Sequence, residues 1–206
     1  MEDCKPVGTP MTTNIKLSKN DDSEKVDESL YKSLIGSLQY LTASKPDILF
    51  VVSVLSRFMH SPKESHFIAA KRVLRYIKGT IALGTFFPKT PGEALKLIGY
   101  TDNDWGGCID DSRSTSGYLF SLSSGIFTWS SKKQETTAQF TTEAKYVVVA
   151  LAVNQAIWLR KMLKDLEHEQ AKATRIMCDN ISAVSISKNL VCHGRTKHIK
   201  IKFHFI

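Results

Sequence analysis

Three acidic residues have the types and spacing that could support chemistry: Asp102, Glu143 and Asp179. Asp102 lies toward the end of one strand-like run, Asp179 directly follows another, and Glu143 sits about one turn into a long helical stretch. Strand ends and helix starts of an α/β layer meet at one edge of the sheet, so acids placed there can converge. Magnesium is a hard ion that prefers oxygen ligands and keeps waters. Two such ions about 4 Å apart can activate a water and stabilise the leaving oxygen of a phosphodiester. Each acid alone reads equally well as a turn or helix cap. Their order along strand, hairpin, strand, helix and strand makes the set informative.

The elements that must position these acids follow from periodicity. Leu95–Asp104 reads as a strand. Ser116–Leu122 and Ile126–Ser130 read as two more, joined by a hairpin turn at Ser123-Ser124-Gly125. Gln139–Leu166 has helical spacing and could bend near Asn154, with Tyr146, Val149, Val153, Ile157 and Leu163 inward. Thr174–Cys178 is a short buried strand, Ile181–Lys188 a short helix, and Lys197–Ile206 a last helix cut short. Before this region lies a different pattern. Leu30 to Lys78 reads as three helices, the second opened by Pro46, the third restarted at Ser61-Pro62 and stopped by Gly79. The expected domains are a polar tail or linker over 1–29, a helical segment over 30–92 bounded near Pro91-Gly92, and an α/β domain over 93–206.

Composition narrows the class. The chain has 206 residues, 42% hydrophobic and 23% charged, which suits a globular protein with a real core. No apolar run approaches the length of a membrane span, no membrane partner is expected, and the first residues lack the pattern of a secretory signal. Cys4, Cys108, Cys178 and Cys192 form no CxxC pair, so reduced thiols in the cytoplasm or nucleus are expected. Cys192 with His193, His198 and His204 matches no common zinc spacing. The net charge is +8, distributed as −3 over 1–30, +7 over 31–92 and +4 over 93–206. A basic surface of this kind attracts polyanions, nucleic acid above all.

Longer stretches carry a family resemblance. They include YKSLIGSLQYLTASKPDILFVVSVLSRFMHSP, HFIAAKRVLRYIKGT, LIGYTDNDWGGCIDDSRSTSGYLFSL, TWSSKKQETTAQFTTEAKYVVVA, MCDNISA and RTKHIKIKFHFI. Together they resemble the C-terminal part of the Pol polyprotein of Ty1/copia-type LTR retrotransposons. The resemblance implies an RNase H-like fold, a mixed five-stranded sheet flanked by helices, preceded by the helical connection that follows a reverse transcriptase. It implies cleavage of the RNA strand of RNA–DNA hybrids with two Mg2+ ions. Asp102 of TDNDW, Glu143 of TTEAK and Asp179 of CDN then match three metal-binding catalytic carboxylates. Gln139 falls where the fold contacts the hybrid backbone, while Lys132 and Lys133 could hold a nucleic-acid backbone by charge alone.

The chain also departs from the family. The family's KHIDIK reads Lys197-His198-Ile199-Lys200-Ile201-Lys202 here, so Lys200 stands where the fourth carboxylate is expected. The family's AEAEY reads Ala-free at its start and continues Glu143-Ala144-Lys145-Tyr146. Lys145 lies two helical positions from Glu143 and on a different face, so little direct effect is expected from it. The paired-aspartate polymerase motif is absent, so the expected partners are a nucleic acid and a separate reverse transcriptase domain. Weak or lost hydrolysis is the expectation.

Two other classes remain. A non-catalytic nucleic-acid-binding module would keep phosphate contacts that rest on charge alone. Arg72-Val73-Leu74-Arg75 matches the RxLR motif of secreted oomycete effectors, through Arg72, Leu74 and Arg75. That reading places the protein outside its producing cell, in a plant host. A signal peptide upstream would favour it, and an in-frame polymerase would favour an element fragment.

Overall fold

The computed structural model describes residues 3–13, 16–87 and 95–188. The chain divides into two compact units, one running to Thr85 and including Cys108–Ser112, the other comprising Phe86–Gly107 and the chain from Arg113 onward. The expected boundary at Pro91-Gly92, the Lys197–Ile206 helix, Lys200, and the Cys192, His193, His198 and His204 set lie outside the described residues.

The first unit is helical. Helices α1 (Glu28–Leu41), α2 (Leu49–Leu55) and α3 (Glu64–Gly79) appear where the periodicity placed them, with single 3-10 turns at Pro46–Ile48 and Ser56–Phe58. Asp27 caps α1 by accepting the Leu30 N–H at 2.7 Å. Pro46 occupies the first position of its turn, where a missing N–H costs nothing. Tyr31, Ile35, Leu38, Val52, Leu55 and Val73 meet in one core. Each such side chain contributes about 1.5–3 kcal/mol on burial. The Tyr31 hydroxyl donates to the Leu55 carbonyl at 3.0 Å, so its burial orphans no donor.

His66 was not foreseen as a core residue, yet it is fully buried and stacks on Phe58. Its Nδ1 accepts the Lys63 N–H at 3.0 Å, and its Nε2 faces the Ser18 carbonyl at 3.0 Å. The first contact requires a bare Nδ1, so Nε2 carries the proton and donates. The ring serves as the second half of a capping box on α3.

The segment expected as a polar tail is instead bound to this unit. Lys25 bridges Lys63, the Val26 N–H donates to Pro62, and the Glu64 N–H donates to Glu24 at 2.8 Å. Met11 and Leu17 pack on the helical core. Sparse apolar positions hid this, because the attachment is made largely through backbone and polar groups.

The second unit is α/β. Its elements are β1 (Leu97–Asp104), β2 (Thr115–Leu122), β3 (Gly125–Lys133), α4 (Thr141–Asp165), β4 (Arg175–Met177) and α5 (Ile181–Lys188). The sheet order is β3-β2-β1-β4, with β1 antiparallel to β2 and parallel to β4. This mixed sheet with helices agrees with the expected RNase H-like class, with four strands among the described residues. Leu122 pairs with Gly125, so the hairpin turn is Ser123-Ser124, with Ser123 in the left-handed region at φ 56°. Gly99 of β1 lies against the Phe120 ring, which leaves no room for a Cβ.

α4 runs as one helix of 25 residues, without the bend expected near Asn154. Its sheet-facing stripe is Ala152, Ala156, Leu159 and Leu163, packed with Leu97 and Phe120. Ile157, expected inward, is exposed. Tyr146, Val147 and Ala150 form a second cluster joined by Ile186 of α5. By length and composition α4 is apolar enough to cross a membrane, contrary to the expectation that no stretch would be. Here half of that apolar stretch is buried, its inner side packed against the sheet and α5.

Candidate functional site

Parallel pairing of β1 with β4 builds the site. Tyr100 is in register with Met177. Asp102 and Asp179 each lie two residues further along, so their carboxylates emerge at one level at the carboxyl ends of neighbouring strands. The Thr101 hydroxyl donates to the Met177 carbonyl at 3.0 Å and holds the two strand ends together. The structure thus brings two of the three expected acids together.

The third side chain at this point is Lys145. Its Nζ donates to Asp102 Oδ1 at 2.8 Å and also to Asp179 Oδ1. The Lys145 side chain is 8% exposed, whereas those of Asp102 and Asp179 are 81% and 69% exposed. The stem therefore runs beneath the rim and the ammonium reaches the carboxylates from inside. The expectation that Lys145 has little direct effect is corrected: it occupies the centre of the site.

Helical phase explains the correction. Lys145 precedes Ala152, Ala156, Leu159 and Leu163 by 7, 11, 14 and 18 residues. At 3.6 residues per turn these intervals all return close to the same direction. Lys145 is thus the first member of the stripe that faces the sheet. Glu143 lies roughly 200° away around the helix. Its Oε2 accepts the Gln139 N–H at 2.8 Å, which orders the turn entering α4 and places an acid favourably at a helix start.

Electrostatics agree with the geometry. Burial works to lower the pKa of Lys145, but hydrogen bonds and charges from Asp102 and Asp179 outweigh it, so the ammonium is held above its ordinary 10.5. The Lys145 hydrogen bond, opposed by slight burial and aided by the lysine charge, holds Asp179 below its ordinary 3.8.

The donor set does not fit the pair of Mg2+ ions that the family resemblance implied. Among the described residues, no group of three or more His, Cys, Asp or Glu side chains is placed to hold a metal ion. The position between the aspartates already holds a cation. A divalent ion about 4 Å from an ammonium is repelled by about 2 kcal/mol in bulk water and about 8 kcal/mol at an effective dielectric near 20.

The other expected residues fall in three places. Lys132 is exposed on β3, in the sheet row that runs through Ser116 to Asn103 beside Asp102. Lys133, half-buried, lies in the next row, level with Asp104. Two strand spacings separate these bases from β1, about 10 Å. Gln139 is exposed in the turn before α4. Arg72, Leu74 and Arg75 belong to the other unit. Arg72 donates to the Thr9 carbonyl and hydroxyl, Arg75 donates to the Lys5 carbonyl at 2.8 Å, and Leu74 packs on the helical core.

A residue missed in the sequence is Gln134. It is buried, and its Nε2 donates to Ser116 Oγ at 2.9 Å and to the Ala144 carbonyl at 3.0 Å. It ties the end of the β2–β3 hairpin to the turn of α4 that carries Lys145. A polar residue after a strand gives no sequence signal for such a role.

Comparison with known proteins gives the ancestry. The chain is 42% identical over 203 residues to the Retrovirus-related Pol polyprotein from transposon RE1 of Arabidopsis thaliana, covering 98% of this chain and 14% of that protein. It is 40% identical over 213 residues to the Retrovirus-related Pol polyprotein from transposon TNT 1-94 of Nicotiana tabacum, covering 100% of this chain and 16% of that protein. It is also 44% identical over 130 residues to Secreted RxLR effector protein 161 of Plasmopara viticola, covering 63% of this chain and 90% of that protein. The chain thus spans about one seventh of the length of the two Pol relatives. No family model matches it, and no solved structure does. Identity at this level across the whole chain, together with the mixed sheet described above, makes the chain a member of the copia-type retrotransposon Pol polyproteins.

Proposed function

We propose that the α/β unit is an RNase H-derived module that holds the backbone of an RNA–DNA hybrid and has weak or no hydrolytic activity. The observation that carries this reading is the Lys145 ammonium between Asp102 and Asp179. Two-metal hydrolysis needs carboxylates free to bind cations. Backbone holding needs only positive charge and donors. Lys132, Lys133 and Gln139 supply those in this reading, and the excess of bases over acids supports it.

The test is incubation of the purified chain with a labelled RNA–DNA hybrid and Mg2+, with binding measured in parallel. The expected result is hybrid binding that weakens steeply with salt, with little cleavage. Robust cleavage abolished by Asp102→Asn would overturn the loss of hydrolysis. Binding unchanged by Lys132→Glu with Lys133→Glu would overturn the assigned contact.

A second reading is a secreted effector, favoured by the likeness to Secreted RxLR effector protein 161. The helix holding Arg72-Val73-Leu74-Arg75 uses all three motif side chains for internal contacts, which favours the Pol reading. The coding sequence upstream discriminates: a signal peptide supports the effector, an in-frame polymerase the Pol fragment.

A further inference from the structure

We infer that Lys145 is a tethered cation that takes the place of a metal ion in this unit, joining the ends of β1 and β4 so that the Asp102–Asp179 pair needs no divalent ion. The ion-pair geometry carries the inference. One nitrogen donates to an oxygen of each aspartate, and these are the two acids that parallel register places side by side. Without a cation, two carboxylates at that spacing repel and push the strand ends apart. A resident divalent ion meets that need from solution, and its occupancy depends on concentration. An ammonium fixed to α4 meets it permanently. It also couples the carboxyl ends of two strands to the first turns of the helix that crosses them.

The position also accounts for why a metal does not simply add to the site. The lysine stem is enclosed, the ammonium is held from two sides, and its charge is reinforced by both partners. For a metal to enter, Lys145 must leave or lose its proton. The same placement means that a carboxylate at this position would complete a set of three acids aimed at one point. A single exchange, Lys145→Glu, thus converts an internally neutralised site into a divalent-cation site.

The inference does not rest on nucleic-acid binding, and its test contains no nucleic acid. The full chain and three variants are titrated with MnCl2, following the fraction of free Mn2+ by electron paramagnetic resonance and the unfolding temperature, with MgCl2 as a second ion and NaCl matched for ionic strength. The parent chain is expected to bind no Mn2+ stoichiometrically and to show no metal-specific rise in unfolding temperature. Lys145→Glu is expected to unfold at a lower temperature without metal and to recover on Mn2+ addition, with about one ion bound per chain or more. Lys145→Arg keeps the charge and is expected to stay metal-insensitive. Lys145→Gln, which adds no negative charge, is expected to gain a small Mn2+ stabilisation. Stoichiometric Mn2+ binding by the parent chain that is lost in Asp102→Asn would overturn the inference. So would a folded Lys145→Glu chain, judged by its circular dichroism, that binds no Mn2+. If Lys145→Glu does not fold, a metal-insensitive Lys145→Gln chain would overturn it instead.

Discussion

Replacing Lys145 by methionine keeps most of the buried stem and deletes the ammonium. Two opposing effects set the outcome. Loss of a buried charge removes a desolvation cost, and ion pairs of this kind can be replaced by apolar groups at no net loss. Against this, two charge-assisted hydrogen bonds disappear, worth about 1.5–3 kcal/mol each when shielded and about 0–1 kcal/mol at the surface. Asp102 and Asp179 are largely exposed, so values near the lower range apply. The two aspartates also lose their shared counter-ion. At an oxygen separation of about 5 Å they then repel by about 1 kcal/mol in water and about 3 kcal/mol at an effective dielectric near 20. The fold favours the charged lysine over the neutral one despite burial, which agrees in direction with a net favourable pairing. The expected cost of Lys145→Met is about 1–3 kcal/mol, or a fall in unfolding temperature of about 3–10 °C.

The pH dependence follows from the same shifts. Asp179 is held below 3.8, so its contribution is present above that value and is lost as pH falls through the lower folded value. Lys145 is held above 10.5, so its contribution is complete below that value and is lost as pH rises through the higher folded value. The difference between parent and Lys145→Met should therefore be flat from about pH 5 to 9 and shrink outside that window. Thermal unfolding by circular dichroism across pH, at low salt and at 1 M NaCl, measures it. An unchanged or raised unfolding temperature for Lys145→Met at low salt and neutral pH would show that desolvation outweighs pairing and refute the reasoning.

Three further outcomes are expected. Burial holds His66 below its ordinary 6.5, against the Ser18 hydrogen bond and the charges of Asp21 and Asp110 that favour protonation and with Lys63 disfavouring it; the helical unit should therefore lose stability as pH falls below 6.5, read as faster hydrogen exchange of α3 amides, and exchange that is flat from pH 7 to 4 after correction for intrinsic rates would contradict it. Gly99→Ala places a methyl 2.7 Å from Cε1 of the fully buried Phe120 and should cost about 1–3 kcal/mol in urea unfolding, with an unchanged midpoint as the contrary result. Gln134→Ala removes the bonds to Ser116 and Ala144 and should cost about 1–2 kcal/mol by the same measurement, and a neutral variant would show that the tie is dispensable.

Much of the architecture was legible because it rests on local rules. The apolar spacing from Tyr31 to Ile77 and the proline at 46 gave three helices, and the alternating runs gave the strands near their observed bounds. Attachment of the N-terminal segment was not legible. It depends on backbone bonds from Glu24 and Val26 and on a buried His66, and none of these leaves a periodic trace. The inner face of α4 was read only in part, since Tyr146, Val149 and Leu163 are buried but Ile157 is exposed and the stripe through Ala152, Ala156 and Leu159 was missed, for a related reason. Residues 144–150 are buried all round, so no single stripe stands out from composition.

For the site, the sequence by itself determined that Asp102 lies toward the end of its strand and Asp179 just past the end of its own, because strand termini follow from apolar runs and their breaks. It also determined that positions 143 and 145 occupy different sides of one helix, because 3.6-residue periodicity requires it. Only the tertiary structure decided which side meets the aspartates. That choice is made by the docking of Ala152, Ala156, Leu159 and Leu163 on the sheet, a stripe whose small residues permit close approach and whose phase carries residue 145 to the strand ends. A helix can present only one of two such positions to a given edge, and packing along its whole length, rather than the chemistry at its start, selected the lysine.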